Sequence, residues 1–267
     1  MTTNTFSDRS LRTSRGQSAP TAIGVNGQKR RLIGDLNINA YANDIYRGQN
    51  RNVTWGHDRN SVATAIGIKN STLDVTGSNI TIEAYSRGQV TYAYGMLGST
   101  LRALGCDNKN INISAKTVFY GTDPAYGLAC SSLITGHGND KININVAATG
   151  ERNKGWRQWS VVQAYGLNNS KLDSGKGDDT IEINVNADAS LIGGRGYVDF
   201  ANQGRNRDSG GSNFTFNGHQ GSAWGLLDSS LRTGKGNDKL RINVSSTRLA
   251  KGLDNSELST GSGDDTV

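Results

Sequence analysis

A chain that repeats one phrase every few tens of residues has few folds open to it beyond a stack of similar units. Four stretches carry the phrase most clearly: Thr135-Gly-His-Gly-Asn-Asp140, Ser174-Gly-Lys-Gly-Asp-Asp179, Thr233-Gly-Lys-Gly-Asn-Asp238 and Thr260-Gly-Ser-Gly-Asp-Asp265. The first three run into Ile142-Asn-Ile-Asn-Val146, Ile181-Glu-Ile-Asn-Val185 and Leu240-Arg-Ile-Asn-Val244. They are preceded by Ala125-Tyr-Gly-Leu128, Ala164-Tyr-Gly-Leu167 and Ala223-Trp-Gly-Leu226, each followed by a short Ser-x-Leu segment. A further unit opens at Ala250-Lys-Gly-Leu253, and weaker ones begin at Ala22, Ala65 and Ala93. About seven such units indicate a solenoid rather than separate domains.

Within a unit, Ile142, Ile144 and Val146 alternate with Lys141, Asn143 and Asn145, the period-two pattern of a strand with one buried face. The Ala-x-Gly-Leu and Ser-x-Leu segments are two further short apolar runs. Three strands joined by small-residue corners make one coil. The fold class expected is therefore all-β, a right-handed parallel β-helix of about seven three-strand coils. Abundant Gly, Asn, Ser and Thr disfavour helix. Aligned units place inserts at 41–64, 149–163 and 188–222, all after the third strand, so they should emerge laterally at one corner. Trp55, Trp156 and Trp159 lie in these inserts and are expected to pack them against the coil. Tyr94, Tyr126, Tyr165 and Trp224 share strand parity with Met96, Leu128, Leu167 and Leu226, which predicts an aromatic column inside the core.

Only 34% of the 267 residues are hydrophobic and 35 are glycine, which suits a narrow solenoid with a thin core. Residues 21–267 read as a single domain whose last repeat is cut at Val267, and residues 1–20 as a disordered or capping tail. That tail lacks the apolar stretch of a Sec signal, and no apolar run is long enough to span a membrane. Cys106 and Cys130 occupy non-equivalent positions; buried free thiols are expected rather than a disulfide. The net charge of +6 is dispersed, for example over Arg47, Arg51 and Arg59, then Arg152, Lys154 and Arg157, then Arg195, Arg205 and Arg207. Dispersed charge reads as a solvated surface and disfavours nucleic acid; a polysaccharide or cell-surface component is the partner class retained, with self-association through the solenoid ends.

The Gly-x-Gly-[Asn/Asp]-Asp corner resembles the nonapeptide of hemolysin-type calcium-binding (RTX) proteins. The resemblance covers residues 125–267 best. It implies calcium between stacked corners, with each corner giving part of the ligand set. The matching residues are Gly136, Gly138, Asn139 and Asp140; Gly175, Gly177, Asp178 and Asp179; Gly234, Gly236, Asn237 and Asp238; and Gly261, Gly263, Asp264 and Asp265. Glycines would act through carbonyls, Asp and Asn through side-chain oxygens, as a hard cation taking six to eight oxygens requires. The family's first glycine is Thr135, Ser174, Thr233 or Thr260 here, and the corner occurs once per unit. One column of about three between-coil sites follows. Gly77-Ser-Asn79 and Gly105-Cys-Asp107 are degenerate corners.

The expected function is a non-enzymatic, calcium-binding structural or adhesion module of a secreted or surface protein, exported by a non-Sec route. Two alternatives stand beside it. One is a β-helix lyase or epimerase acting on an acidic polysaccharide; the other is an intracellular scaffold with metal-free turns. No nucleophile–base constellation repeats, and His57, His137 and His219 form no ligand pattern.

Overall fold

The computed structural model describes residues 2–12, 18–44, 62–88, 90–119, 123–150, 160–189 and 219–267. A leading strand, β1 (Thr3–Arg12), precedes the repeats. Coil 1 holds β2 (Thr21–Asn26), β3 (Lys29–Leu32) and β4 (Asp35–Asp44). Coil 2 holds β5 (Val62–Lys69), β6 (Thr72–Val75) and β7 (Asn79–Gly88). Coil 3 holds β8 (Val90–Leu97), β9 (Thr100–Ala103) and β10 (Asn110–Phe119). Coil 4 holds β11 (Asp123–Ala129), β12 (Ser132–Ile134) and β13 (Lys141–Gly150). Coil 5 holds β14 (Ser160–Asn168), β15 (Lys171–Asp173) and β16 (Thr180–Asp188). Coil 6 holds β17 (His219–Leu227), β18 (Ser230–Arg232) and β19 (Lys239–Ser246). Coil 7 holds β20 (Leu249–Asp254) and β21 (Glu257–Ser259).

Every strand pairs in parallel with its copy in the neighbouring coils, giving three seven-stranded sheets. The order β1-β4-β7-β10-β13-β16-β19 defines sheet A, β2 through β20 sheet B, and β3 through β21 sheet C. The chain is thus an all-β parallel solenoid without helices among the described residues. Residues 1–20, expected as a disordered or capping tail, contain β1, all ten residues of which pair with β4.

The register reproduces the sequence repeat. Ile111, Ile142, Ile181 and Leu240 stand in one column of sheet A, and Leu101, Leu133, Leu172 and Leu231 in one column of sheet C. These residues are buried and merge into one continuous core. Each Ile or Leu so buried contributes about 1.5–3 kcal/mol. Alternation in sheet A runs beyond the expected segment, since Ala115 and Ala148 continue the inward face. The expected inserts are correspondingly shorter. Their remaining residues, including the three tryptophans and the arginine clusters named above and the Gly193-Gly-Arg-Gly196 stretch of the third insert, lie outside the described residues.

The aromatic column requires a correction. Ala125 and Leu128 are both fully buried, yet Tyr126 between them points outward and is half-buried. Parity slips at Gly127. A Cβ there would stand 2.5 Å from Ile144 Cγ2 and 2.6 Å from the Gly166 carbonyl oxygen, so the chain folds tightly over sheet A and side-chain direction shifts by one position. Tyr94, Tyr126, Tyr165 and Trp224 therefore stack on the outer face of sheet B, with centroids 4.8–4.9 Å apart and planes within 9°. Each stacked pair contributes about 0.5–1.5 kcal/mol. Ring faces inside the stack are covered by the next ring, which leaves edges rather than faces for any ligand.

The corner between sheets B and C is closed by a serine ladder. Asn70, Cys130, Asn169, Asp228 and Asn255 take left-handed backbone with φ of 46–48°. Asn and Asp tolerate that conformation better than other side chains. The serine that follows uses its hydroxyl twice. Ser170 Oγ donates to the Asn168 carbonyl at 2.7 Å and accepts the Ser131 backbone N–H at 3.1 Å. The same arrangement recurs at Ser71, Ser99, Ser131, Ser229 and Ser256. Cys130 and Cys106 are both free and exposed, not buried as expected. Cys130 is outside because it occupies the turning position of this corner.

Candidate metal centre

The Gly-x-Gly-[Asn/Asp]-Asp corners join sheet C to sheet A in coils 4 to 6 and recur after β21 in coil 7, and they stack in register. His137, Lys176, Lys235 and Ser262 form successive parallel bridges, and Asp140, Asp179, Asp238 and Asp265 precede equivalent positions of sheet A. All sixteen residues expected to be ligands thus lie along one edge of the solenoid.

Why glycine is needed follows from how closely the coils approach. Gly177 has φ of 128°, and a Cβ on it would stand 2.2 Å from the Gly138 carbonyl oxygen. For Gly236 over the Gly177 oxygen the distance is 2.1 Å. No other residue combines that backbone with that spacing.

Each polar side chain of the corner ties one coil to the next. The Thr135 hydroxyl donates to the Ser174 carbonyl at 2.5 Å, Ser174 to Thr233 at 3.0 Å, and Thr233 to Thr260 at 2.6 Å. This explains a hydroxyl residue where the resembling family has glycine. Asn139 Oδ1 accepts the Asp178 N–H at 3.0 Å, Asp178 Oδ1 that of Asn237 at 2.8 Å, and Asn237 Oδ1 that of Asp264 at 2.9 Å. The final aspartate works in the opposite direction along the axis. Asp179 Oδ1 accepts the Asp140 N–H at 2.8 Å, Asp238 Oδ1 that of Asp179 at 2.8 Å, and Asp265 Oδ1 that of Asp238 at 3.0 Å.

The aspartates differ from the other members in burial. Asp140, Asp179 and Asp238 are each 1% exposed, and Oδ2 of each has no hydrogen-bond partner. The Thr135 and Ser174 hydroxyls lie beside the carboxylates of their own corners, but each gives its single proton to the carbonyl of the next coil. Burial raises the Asp140 carboxyl above its ordinary range. Burial pushes Asp179, in the middle of the column, up to about 6, and the charges of Asp140 and Asp238 on either side add to the rise. A buried carboxylate with an unused oxygen calls for a proton or a cation.

The expected ligand set narrows on this geometry. The Gly136, Gly175 and Gly234 carbonyls already accept N–H groups of Lys176, Lys235 and Ser262. Asn139, Asp178, Asn237 and Asp264 are exposed, and the first three have one oxygen in the backbone ladder. Among the corner side chains described, the buried oxygens without a hydrogen-bond partner are the three Oδ2 atoms. Among the described residues no three His, Cys, Asp or Glu side chains converge on a single point. The column instead offers carboxylates pairwise, from one coil to the next.

Two features were missed in the sequence. One is the serine ladder, whose signal was the Ser-x-Leu of units 2 to 7, with Gln28 in its place in the first. The other is Lys109, which is 2% exposed and occupies in coil 3 the place of Asp140. Aligning Asn108-Lys109 with Asn139-Asp140 would have found it. A shallow groove of about 570 Å3 follows the serine corner past Cys130, Asn169, Asp228, Lys171 and Glu257. The serines along it are engaged in the ladder.

Compared with known proteins, the chain matches no family model, no curated protein and no solved structure.

Proposed function

We propose that this chain is a non-enzymatic structural module, a stiff β-solenoid spacer or adhesive rod of a secreted or surface protein, whose aspartate column takes up calcium. The observation that carries the reading is the stack of three buried carboxylates, each with one oxygen left unused. At neutral pH such a column needs positive charge. Oxygen donors alone, beside glycine backbone, suit a hard divalent cation rather than a softer metal. The RTX resemblance of the same corners points the same way.

Asp140, Asp179 and Asp238 would hold the ion through Oδ2, and glycine carbonyls of the corners would supply backbone oxygens. Bound calcium supplies charge that locks coils together, since ion affinity is coupled to folding. The polar ladders keep their own role, which is to set register. Surface partners would be acidic glycans or other cell-surface components, and the solenoid ends would serve self-association.

A metal-free scaffold is the second reading. It is favoured by the hydrogen bonds that already occupy Oδ1 of Asp179, Asp238 and Asp265 and the first glycine carbonyls. Calorimetric titration of calcium into chelator-treated protein at pH 7, with magnesium as control, separates the two. The calcium reading expects saturable heat and a rise in melting temperature. No heat and no change in melting temperature would leave the metal-free scaffold.

A further inference from the structure

The inward-facing columns of the solenoid change character at the N-terminal end. One column of sheet A runs through Leu36, Ile80 and Ile111, and another through Ala40, Ala84 and Ala115. One column of sheet C runs through Leu73, Leu101 and Leu133. Before coil 2 these three columns begin with Asn4, Asp8 and Arg30. Between Asn4 and Asp8, Phe6 keeps an apolar residue over Ile38. In coil 7, by contrast, the columns of sheets B and C still carry Leu253 and Leu258.

Each polar replacement makes a definite contact. Asp8 Oδ2 accepts the Ile23 backbone N–H at 2.7 Å, and Ile23 belongs to β2, the outermost strand of sheet B. Asn4 Nδ2 donates to the carbonyls of Ile33 at 2.9 Å and Asp35 at 3.1 Å, where sheet C turns into sheet A. The Arg30 guanidinium lies over the Phe6 ring, 4.6 Å from its centroid, while Phe6 packs against the core. An outermost strand offers a row of unpaired N–H and C=O groups with which another chain can pair, and inward-pointing charges are one way to prevent it. Here a side chain of the same chain already holds one of those N–H groups. An added coil would also have to bury Asp8 and Arg30 beneath it, and a charge so buried is costly unless it is paired.

We propose that the N-terminal end of the solenoid is a guarded end, at which Asn4, Asp8 and Arg30 keep a second copy from adding a strand or a coil. The guard confines the self-association proposed above to the opposite end. That confinement rests on the self-association reading; the guard itself does not, and neither involves the corner column or its ion.

The test compares wild type with Asp8→Val/Arg30→Leu, which gives both columns residues found deeper in the stack, as at Val146 and Leu73. Sedimentation velocity over a concentration series reads assembly, and hydrogen exchange reads which strands become covered. The variant should associate at about one tenth of the wild-type concentration or less, since removing a charge that burial would leave unpaired is worth at least about a factor of ten. Amides of β2 and β3 should exchange more slowly as the variant's concentration rises, and in wild type they should not. A folded variant that assembles no more than wild type, whatever its melting temperature, overturns the guard. So does a wild type whose β2 and β3 amides become protected with concentration. A variant that associates through β2 and β3, beside a wild type that stays monomeric, keeps the guard and removes the self-association reading. Should the double variant fail to fold, Arg30→Leu, at an exposed position, carries the same test.

Discussion

Replacing Asp179 by asparagine should stabilise the protein in the absence of calcium. Asp179 is buried and has its carboxyl moved from 3.8 to about 6, chiefly by desolvation. Each tenfold change in an ionisation constant is worth about 1.4 kcal/mol, so keeping this carboxylate ionised at pH 7 costs the fold about 3 kcal/mol. Asparagine keeps the oxygen that accepts the Asp140 N–H and removes the charge. Its amide N–H groups then face a column in which Asp140 and Asp238 each have an unused oxygen. The expected gain in urea unfolding at pH 7 with chelator is about 1–3 kcal/mol, the lower end allowing for imperfect amide partners. Asp179→Ala is the control. It also removes the charge but leaves the Asp140 N–H buried without an acceptor, at about 1–3 kcal/mol, so its stability should stay near wild type. In saturating calcium the order reverses, because wild type gains ion-linked stability and Asp179→Asn does not. An Asp179→Asn protein less stable than wild type in chelator would refute the reasoning.

Four further outcomes are expected. Because the folded Asp179 carboxyl lies above its unfolded value, its cost is absent below about pH 4, sets in as pH rises towards about 6, and is complete at pH 7; stability in chelator should therefore increase from pH 7 to pH 5, and a decrease would contradict this. Gly127→Ala should cost about 1–3 kcal/mol or more in urea unfolding, since the added methyl meets Ile144 and the Gly166 backbone. Ser170→Ala should cost about 1–3 kcal/mol and speed hydrogen exchange at the Ser131 amide, which loses its acceptor. Tyr126→Ala should lose two ring contacts, about 1–3 kcal/mol together, on top of any apolar area it exposes.

How far the sequence could be read depended on the range of each interaction. The alternation of Ile142, Ile144 and Val146 is local, and it gave both the strand and its buried face. The equivalence of the Ala-x-Gly-Leu segments likewise gave the coil and its register. The aromatic column was misread because the slip at Gly127 is imposed by Ile144, a contact made across the coil and invisible in a period-two pattern. The final aspartates were recognised as corner residues, but not the direction of their bonds. Asp179 accepts from Asp140 in the coil before, and nothing adjacent to it in sequence shows that. Lys109 escaped notice because a lysine between two asparagines reads as surface, and the partner of its ammonium, the Thr76 carbonyl, lies one coil back.

The most direct measurement is a crystal structure of the protein grown in millimolar calcium. The account predicts an ion on the corner column between coils 4 and 6, about 2.3–2.6 Å from Oδ2 of at least one of Asp140, Asp179 and Asp238. A folded stack with those oxygens still without an ion at that calcium concentration would contradict it.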